Sequence, residues 1–489
     1  MTAVLAIDQG TTNTKALLVD ASGQTMASAS APVARTYPRP GWVEQDPDEL
    51  WRSVAAAVAQ LADAAPSCLA LSSQRESVLL WDRASGGPLT PCVSWQDNRG
   101  AELCERLRAD GADRVVHDLT GLPLDPMFSA SKLRHLLDAD PALRAAAESG
   151  AACAGTVDSW LLFRLSGGAA HVTDAGNASR TLLFDIHRLE WSAELLALFE
   201  IPAACLPQVR ASSGAIAENA TLEPVVGLPI MASLADSHAA AFGLGCVCPG
   251  SAKATYGTGS SLLAPTAESP LTSHAGLATT VAWRRDEVTY ALEGNVFSSG
   301  ATVDWLAGVL GLTDAMAVQE LAATAPDAKG VHLVPAFAGL GAPYWQPHAR
   351  GAITGLTFAA GPAELARAAV ESIAFQVADL VAALERDLEH PLAELRVDGG
   401  ASRNNALMQF QADLLGCPVL RSASPDAAAI GTAVMAGIAS GIFADADHMA
   451  HVGAERFEPA ITVDQRRELM AAWRAAVNEV AERQEATIA

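Results

Sequence analysis

The chain opens on an apolar run, residues 3–7, that breaks at Asp8-Gln9-Gly10-Thr11-Thr12-Asn13-Thr14-Lys15 and resumes at Leu17, Leu18 and Val19. Short apolar runs bounded by turn residues read as buried strands, so the spacing predicts a β-hairpin rather than a strand-to-helix loop. A strand that ends in a carboxylate and turns through glycine and hydroxyl-bearing residues suits a metal-bound phosphate chain. Glycine lets backbone N–H groups approach closely, threonine hydroxyls add donors, and an Asp at a strand end fits a divalent cation that keeps several waters. The same residues also fit an ordinary hairpin whose Asp and Thr satisfy turn backbone. Taken alone, they leave both readings open.

At 489 residues the chain exceeds what a single core usually supports, so two or three domains with a cleft between them are expected. Hydrophobic residues at 50% and charged residues at 18% fit a globular protein and argue against disorder. Lys+Arg 32 against Asp+Glu 55 gives a net charge of −23, which provides no counterion-release affinity for a nucleic-acid backbone. A nucleic-acid partner is not expected, and an anionic substrate has to be met by backbone donors, local basic side chains or a cation. No basic n-region followed by an apolar core opens the chain. The longest weakly apolar segment, 427–443, is rich in Ala and Gly and reads as a buried helix. A cytoplasmic protein with no membrane partner is expected. The 8 cysteines lack disulfide or zinc spacing, and Cys246 and Cys248 read as small core residues.

Strand-like runs at 4–7, 16–19, 69–71 and 78–81 alternate with helical spacing at 50–62, 100–108, 131–137 and 157–165, which predicts a mixed α/β fold. The opening scheme partly recurs at Ser251-Ala252-Lys253-Ala254-Thr255-Tyr256-Gly257-Thr258-Gly259-Ser260, which suggests a duplicated architecture. Pro249 and Gly250 mark the boundary, giving expected domains of 1–245 and 246–489. A third turn, Asp398-Gly399-Gly400, ends a predicted strand and precedes a predicted helix at about 406–415. Its glycines serve either backbone approach to a ligand or the turn alone. None of the lysines, Lys15, Lys132, Lys253 and Lys329, stands in a Gly-Lys-Ser/Thr P-loop. The dinucleotide G-x-G-x-x-G after the first strand, the G-x-S-x-G elbow and the H-E-x-x-H helix are also absent. Phosphate handling by hairpin turns remains.

These residues resemble the FGGY carbohydrate kinases, and within them the chain is most similar to the glycerol kinases. The resemblance runs from Asp8 through Pro40 to Pro47, Ser73-Gln74-Arg75-Glu76, 127–132, 155–160 and 173–181. It continues through 335–345, Gly351 to Glu371 and Asp398-Gly399-Gly400. It implies two ribonuclease-H-like α/β domains of the actin, Hsp70 and hexokinase type with a cleft between them. It also implies an ATP- and magnesium-dependent phosphotransferase acting on a small polyol or sugar. Asp8 is then the magnesium residue, with Thr12, Asn13, Lys15 and the Gly257-Thr258-Gly259 turn around the phosphates. Gly300, Asp304, Gly400 and Asn404 match positions around ribose and adenine, although Asp304 stands where glycerol kinases usually carry Gln. Similar kinases are often dimers or tetramers, so a homodimer or homotetramer is implied.

Asp236, in Ala235-Asp236-Ser237-His238, falls at the family's general base. A positioned Asp can take the proton of a hydroxyl attacking a phosphoryl group, while positioning and charge neutralisation supply much of the rest. Read without the resemblance, Asp236 is a helix N-cap, and His238 is structural. Arg75 and Glu76 match a pair that grips the two hydroxyls not phosphorylated; an exposed ion pair is the plain alternative. Trp95 matches an aromatic that packs on the carbon face, against which stands an ordinary core Trp. Met127 occupies the place of a substrate-contacting Tyr, Ser237 that of a Gln, and Ser261 that of a Phe walling the pocket. Losing that Phe makes the pocket larger or wetter, which fits a four- or five-carbon polyol or ketose as well as glycerol. Xylulose kinases usually carry Met-His-Gly where this chain has Arg75-Glu76-Ser77. Two rivals stand beside the kinase reading. A nucleotide-binding scaffold or sugar sensor has no need of a base and a diol clamp, and a two-carboxylate glycoside hydrolase leaves three glycine turns without a purpose.

Overall fold

The structure, a computed structural model, describes residues 3–61, 65–346, 348–444 and 454–488. The strand Ala3–Gln9 is buried along nearly its whole length, as its apolar run requires, and pairs antiparallel with Asn13–Asp20. The opening hairpin therefore forms as expected, with Asp8 opposite Lys15. On its other edge the same strand pairs parallel with Cys68–Ser73, which places Asp8 beside Ser72.

Two large sheets repeat one pattern. In the first, Thr25–Pro32, Asn13–Asp20 and Ala3–Gln9 run antiparallel, then Cys68–Ser73 and Ile230–Ala235 join in parallel, and Ser213–Ala217 closes antiparallel. In the second, Val288–Val296, Ser260–Pro265 and Ser251–Tyr256 are antiparallel. Glu394–Asp398 and Val419–Arg421 join in parallel, and Glu455–Phe457 closes antiparallel. One further strand, Ala278–Arg284, extends the second sheet at its near edge. The duplication suggested by the glycine turns is thus present strand for strand.

A helix follows the corresponding strand in each half: Asp236–Gly243 after Ile230–Ala235, and Ala427–Ala439 after Val419–Arg421. These two helices pack on each other at the junction of the halves. A Cβ at Gly431 would fall 1.9 Å from the Ala239 carbonyl oxygen, and one at Gly243 2.3 Å from that of Ala427. Only glycine allows backbones to cross that closely. The apolar stretch near residue 427 is therefore a buried helix, and among the described residues no single helix is long and apolar enough to cross a membrane.

Each sheet carries its own core, with Leu5, Ile7, Leu69 and Leu71 beside Trp81 and Trp160 in one and Leu395 and Val397 beside Phe375 and Trp473 in the other. Helix limits follow local chemistry. The helix expected over 50–62 starts earlier and runs Pro47–Ala59, because Asp46 caps it by accepting from the Asp48 N–H and Pro47 takes the first helical position.

Candidate active site

Asp8 is half-buried at the end of the first strand and accepts from the Ser72 hydroxyl at 2.8 Å. Burial and the nearby Asp236 carboxylate push its acid up to about 6 despite Ser72 and Lys15. That uncompensated negative charge suits a divalent cation with few protein ligands. The turn beyond Asp8 closes by the Gly10 N–H on the Asn13 carbonyl at 3.0 Å, and Thr12 is exposed there. Lys15 points to the other half, where its Nζ meets Asp426 Oδ1 at 2.5 Å. In the second sheet the arrangement is mirrored with the partners exchanged. Thr255, on the hairpin strand, donates through Oγ1 to Asp398 Oδ1 at 2.5 Å on the parallel neighbour.

Asp236 is the first residue of its helix. Ala235 takes the N-cap position, so the capping alternative does not hold for Asp236. One carboxylate oxygen accepts from the Ser237 N–H at 2.6 Å, and the side chain keeps 37% exposure. Burial of its surroundings raises its acid above the ordinary value, while Arg75 counters that rise. Arg75 Nε lies 3.5 Å from Asp236 Oδ1 and 3.9 Å from Glu76 Oε1. Its Nη1 lies 2.7 Å from Glu293 Oε2, which in turn pairs with Arg180 at 3.3 Å, and Arg180 Nε reaches Glu76 Oε1 at 2.8 Å. Two arginines and two glutamates therefore alternate around a buried ring. Glu76 adopts φ +60°, a conformation costly for a residue with a side chain and found where surroundings over-determine it. Here its carbonyl accepts from Ser129 Oγ at 3.0 Å and Lys132 Nζ at 3.3 Å.

The other substrate candidates gather around this ring. Lys132 Nζ also donates to the Met127 carbonyl, which ties half-buried Met127 to Glu76. Trp95 is half-buried rather than a core residue; its N–H donates to Ser77 Oγ at 3.0 Å and its indole Nε1 to Thr11 Oγ1 at 3.0 Å. Ser237 and Ser261 both accept from Lys253 Nζ, at 2.8 and 3.3 Å. His238 is fully buried with neither ring nitrogen bonded to protein among the described residues, and burial and Arg75 hold it well below its ordinary range as a neutral ring.

Of the candidate nucleotide residues, Gly257, Thr258 and Gly259 form the tip of the hairpin between Ser251–Tyr256 and Ser260–Pro265. The Gly300 N–H donates to the Gly257 carbonyl at 3.0 Å, so that turn and the start of helix Gly300–Leu310 are joined. Gly399, at φ +94°, brings the third turn alongside: a Cβ there would lie 2.5 Å from the Tyr256 carbonyl oxygen. Gly400 is exposed. Asn404 caps helix Asn405–Leu415 and donates from Nδ2 to Gln319 at 3.0 Å. Asp304 is exposed on its helix, with no side-chain hydrogen bond among the described residues.

The model for the N-terminal domain of the FGGY family of carbohydrate kinases matches residues 3–243, and that for its C-terminal domain matches 252–440. The chain is 50% identical to the glycerol kinase of Aromatoleum aromaticum, covering 98% of each. This protein belongs to the FGGY family of carbohydrate kinases. It is a phosphotransferase with an alcohol group as acceptor, of the glycerol-kinase-like kind. Its fold matches the crystal structure of Plasmodium falciparum glycerol kinase with ADP at TM-score 0.92, 31% identity and 98% coverage of both chains. It matches the ligand-bound xylulose kinase of Lactobacillus acidophilus at TM-score 0.88, covering 100% of this chain and 99% of that one. At 22% identity that second likeness concerns the fold alone.

Four residues of this FGGY kinase escaped sequence reasoning: Glu293 and Arg180, which complete the ring around Arg75, Thr11, which meets Trp95, and Lys253. Thr11 and Arg180 lie within the opening turn and the segment 173–181 but were not singled out, and Lys253 carried a local signal of its own. It interrupts a strand otherwise made of small, hydroxyl-bearing and aromatic residues, and it is one of four lysines in the chain.

Proposed function

We propose that this kinase transfers the γ-phosphoryl group of ATP to a primary hydroxyl of a small polyol or sugar. Asp236 is the general base, Arg75 and Glu76 are the diol clamp, and the halves at 1–245 and 246–489 supply substrate and nucleotide sites respectively. The observation that carries this reading is the proximity of a partly exposed carboxylate to a rigid Arg–Glu pair: Asp236 lies 3.5 Å from Arg75, whose position the ring of Glu293, Arg180 and Glu76 fixes. A guanidinium offers donors to hydroxyl oxygens and a carboxylate accepts from hydroxyl protons, so such a pair recognises adjacent hydroxyls.

In the reaction, the substrate oxygen forms a bond to the γ-phosphorus as the bond to the bridging oxygen of ATP breaks. The hydroxyl proton passes to Asp236 and ADP leaves. Trp95 packs on the carbon face, and Met127, Ser237 and Ser261 line the remainder of the pocket. Thr12, Asn13, Lys15 and Gly257 to Gly259 surround the phosphates, with Gly300, Asp304, Gly400 and Asn404 toward ribose and adenine. Asp8 would hold a magnesium ion, which when bound neutralises charge on the phosphate oxygens. Approach of the two halves excludes water and limits ATP hydrolysis.

Glycerol is the acceptor named for the Aromatoleum and Plasmodium relatives. A half-buried Ser261 bonded to Lys253 makes a polar wall, which favours an acceptor with a further hydroxyl, of four or five carbons, alongside glycerol. The test is coupled ADP release across glycerol, erythritol, threitol, xylitol, arabitol, ribitol, xylulose, ribulose and erythrulose. Polyol-dependent release with at least one of these is expected; ATP binding without release for any acceptor refutes the proposal.

A further inference from the structure

Lys253 is 1% exposed, so its ammonium is shielded from solvent. Among the described residues it has no carboxylate within ion-pair distance, and its hydrogen-bond partners are hydroxyls: Ser237 Oγ at 2.8 Å and Ser261 Oγ at 3.3 Å. A buried ammonium without a direct counter-ion is costly. Burial lowers its pKa, and the neighbouring charges act in both directions, with Asp398, Asp236 and Glu293 favouring the cation and Arg75 opposing it. Ordinary packing does not require such a group here.

The placement gives it a use. Lys253 stands on strand Ser251–Tyr256 of the second sheet, whereas Ser237 lies in the first turn of helix Asp236–Gly243, one residue after Asp236. The Ser237 N–H donates to Asp236 Oδ1 at 2.6 Å, so Ser237 is held by Lys253 through its hydroxyl while its amide holds the carboxylate. Lys253, Ser237 and Asp236 thus form one connected series that crosses from the second half of the chain to the first. We propose that Lys253 is the positioning residue for Asp236, fixing through Ser237 the turn on which the carboxylate stands.

This inference rests on Asp236 being the base, so three variants are compared with the full-length wild type in steady-state kinetics with the best acceptor. Asp236→Asn tests the base itself. Lys253→Met keeps the length of the side chain but removes its charge and donors, and Ser237→Ala removes the hydroxyl that it grips. Misplacing a reacting group by about 1 Å costs on the order of 100-fold, so kcat for Lys253→Met is expected to fall at least about tenfold. Its KM for ATP is expected to stay within about twofold, well short of a tenfold affinity change. Because the two residues act in one series, the Lys253→Met/Ser237→Ala double variant should lose no more than the worse single variant. Wild-type kcat in Lys253→Met, or losses that multiply in the double variant, overturns the assignment of Lys253 while leaving the base untouched. Near wild-type turnover in Asp236→Asn instead overturns the base. Should Lys253→Met not fold, Lys253→Gln, which keeps an amide donor of shorter reach, is read by the same two criteria.

Discussion

Nη1 of Arg75 lies 2.7 Å from Oε2 of Glu293, a contact between residues 218 positions apart that joins the candidate diol clamp to the second half of the chain. Glu293 is fully buried, and the guanidiniums of Arg180 and Arg75 more than offset the effect of burial, holding its acid well below the ordinary value of 4.5. Removing one partner of a buried pair typically costs about 3–5 kcal/mol. Glu293→Gln is therefore expected to lower the melting temperature and to raise KM for the acceptor about tenfold or more, with KM for ATP little changed. A depressed acid contributes stability that is present above its unfolded value and lost as pH falls through its folded one. The melting gap between wild type and variant should be full at pH 7 and should close as pH drops below 4.5. A gap that is constant with pH contradicts the ion-pair account.

Asp379 behaves in the opposite sense. It borders a cavity of about 540 Å³ with Tyr344, Arg386 and Arg474, and burial lifts its acid from 3.8 to about 6 even though it accepts from Trp473 Nε1 at 2.6 Å and Tyr344 at 2.9 Å. A raised carboxylate destabilises the fold when ionised, by roughly 3 kcal/mol for a rise of this size. That penalty is full above about pH 6 and vanishes as pH falls toward 3.8. Asp379→Asn, which still accepts both hydrogen bonds, should melt higher than wild type at pH 8 and at the same temperature near pH 4. A variant that melts lower at pH 8 refutes this.

Ser261 is proposed as part of the pocket wall, at a position where the family resemblance implies a Phe. Ser261→Phe adds apolar bulk and removes an acceptor of Lys253, so the ratio of kcat/KM for glycerol to that for the longer polyols should rise. One methylene of pocket fit is worth about 1–3 kcal/mol, so a shift of about tenfold is expected. An unchanged acceptor profile would show that Ser261 does not set pocket size.

The helix crossing at Gly431 leaves no room for a side chain. Gly431→Ala places a methyl 1.9 Å from the Ala239 carbonyl oxygen, and overpacking of this kind costs about 1–3 kcal/mol. The crossing helix carries Asp236, so the variant should lose both melting temperature and kcat. Full stability would mean that the two helices do not touch there in solution.

The opening hairpin, the second hairpin and the turn at Gly399 were legible in the sequence because each is a local pattern of apolar run, glycine and hydroxyl. The strand-for-strand duplication was only hinted at, since one chain's turns recur without its sequence recurring. The proposal of Asp236 as base comes from resemblance and not from spacing, which favoured a cap; the structure gives the cap to Ala235. Glu293 could not be found at all from the sequence. Within Tyr290-Ala291-Leu292-Glu293-Gly294 it looks like any strand carboxylate, and its meaning comes from Arg75 and Arg180, which fold toward it from more than a hundred residues away. Lys253 is a cation in a strand of small residues, and its partners belong to separate elements.

The proposed mechanism stands on the carboxylate at position 236 receiving the acceptor's proton. Its most direct test is Asp236→Ala, assayed for polyol-dependent ADP release beside calorimetric titration with ATP. Turnover should be abolished while the nucleotide binds with nearly wild-type affinity; turnover at the wild-type rate would rule out Asp236 as the base.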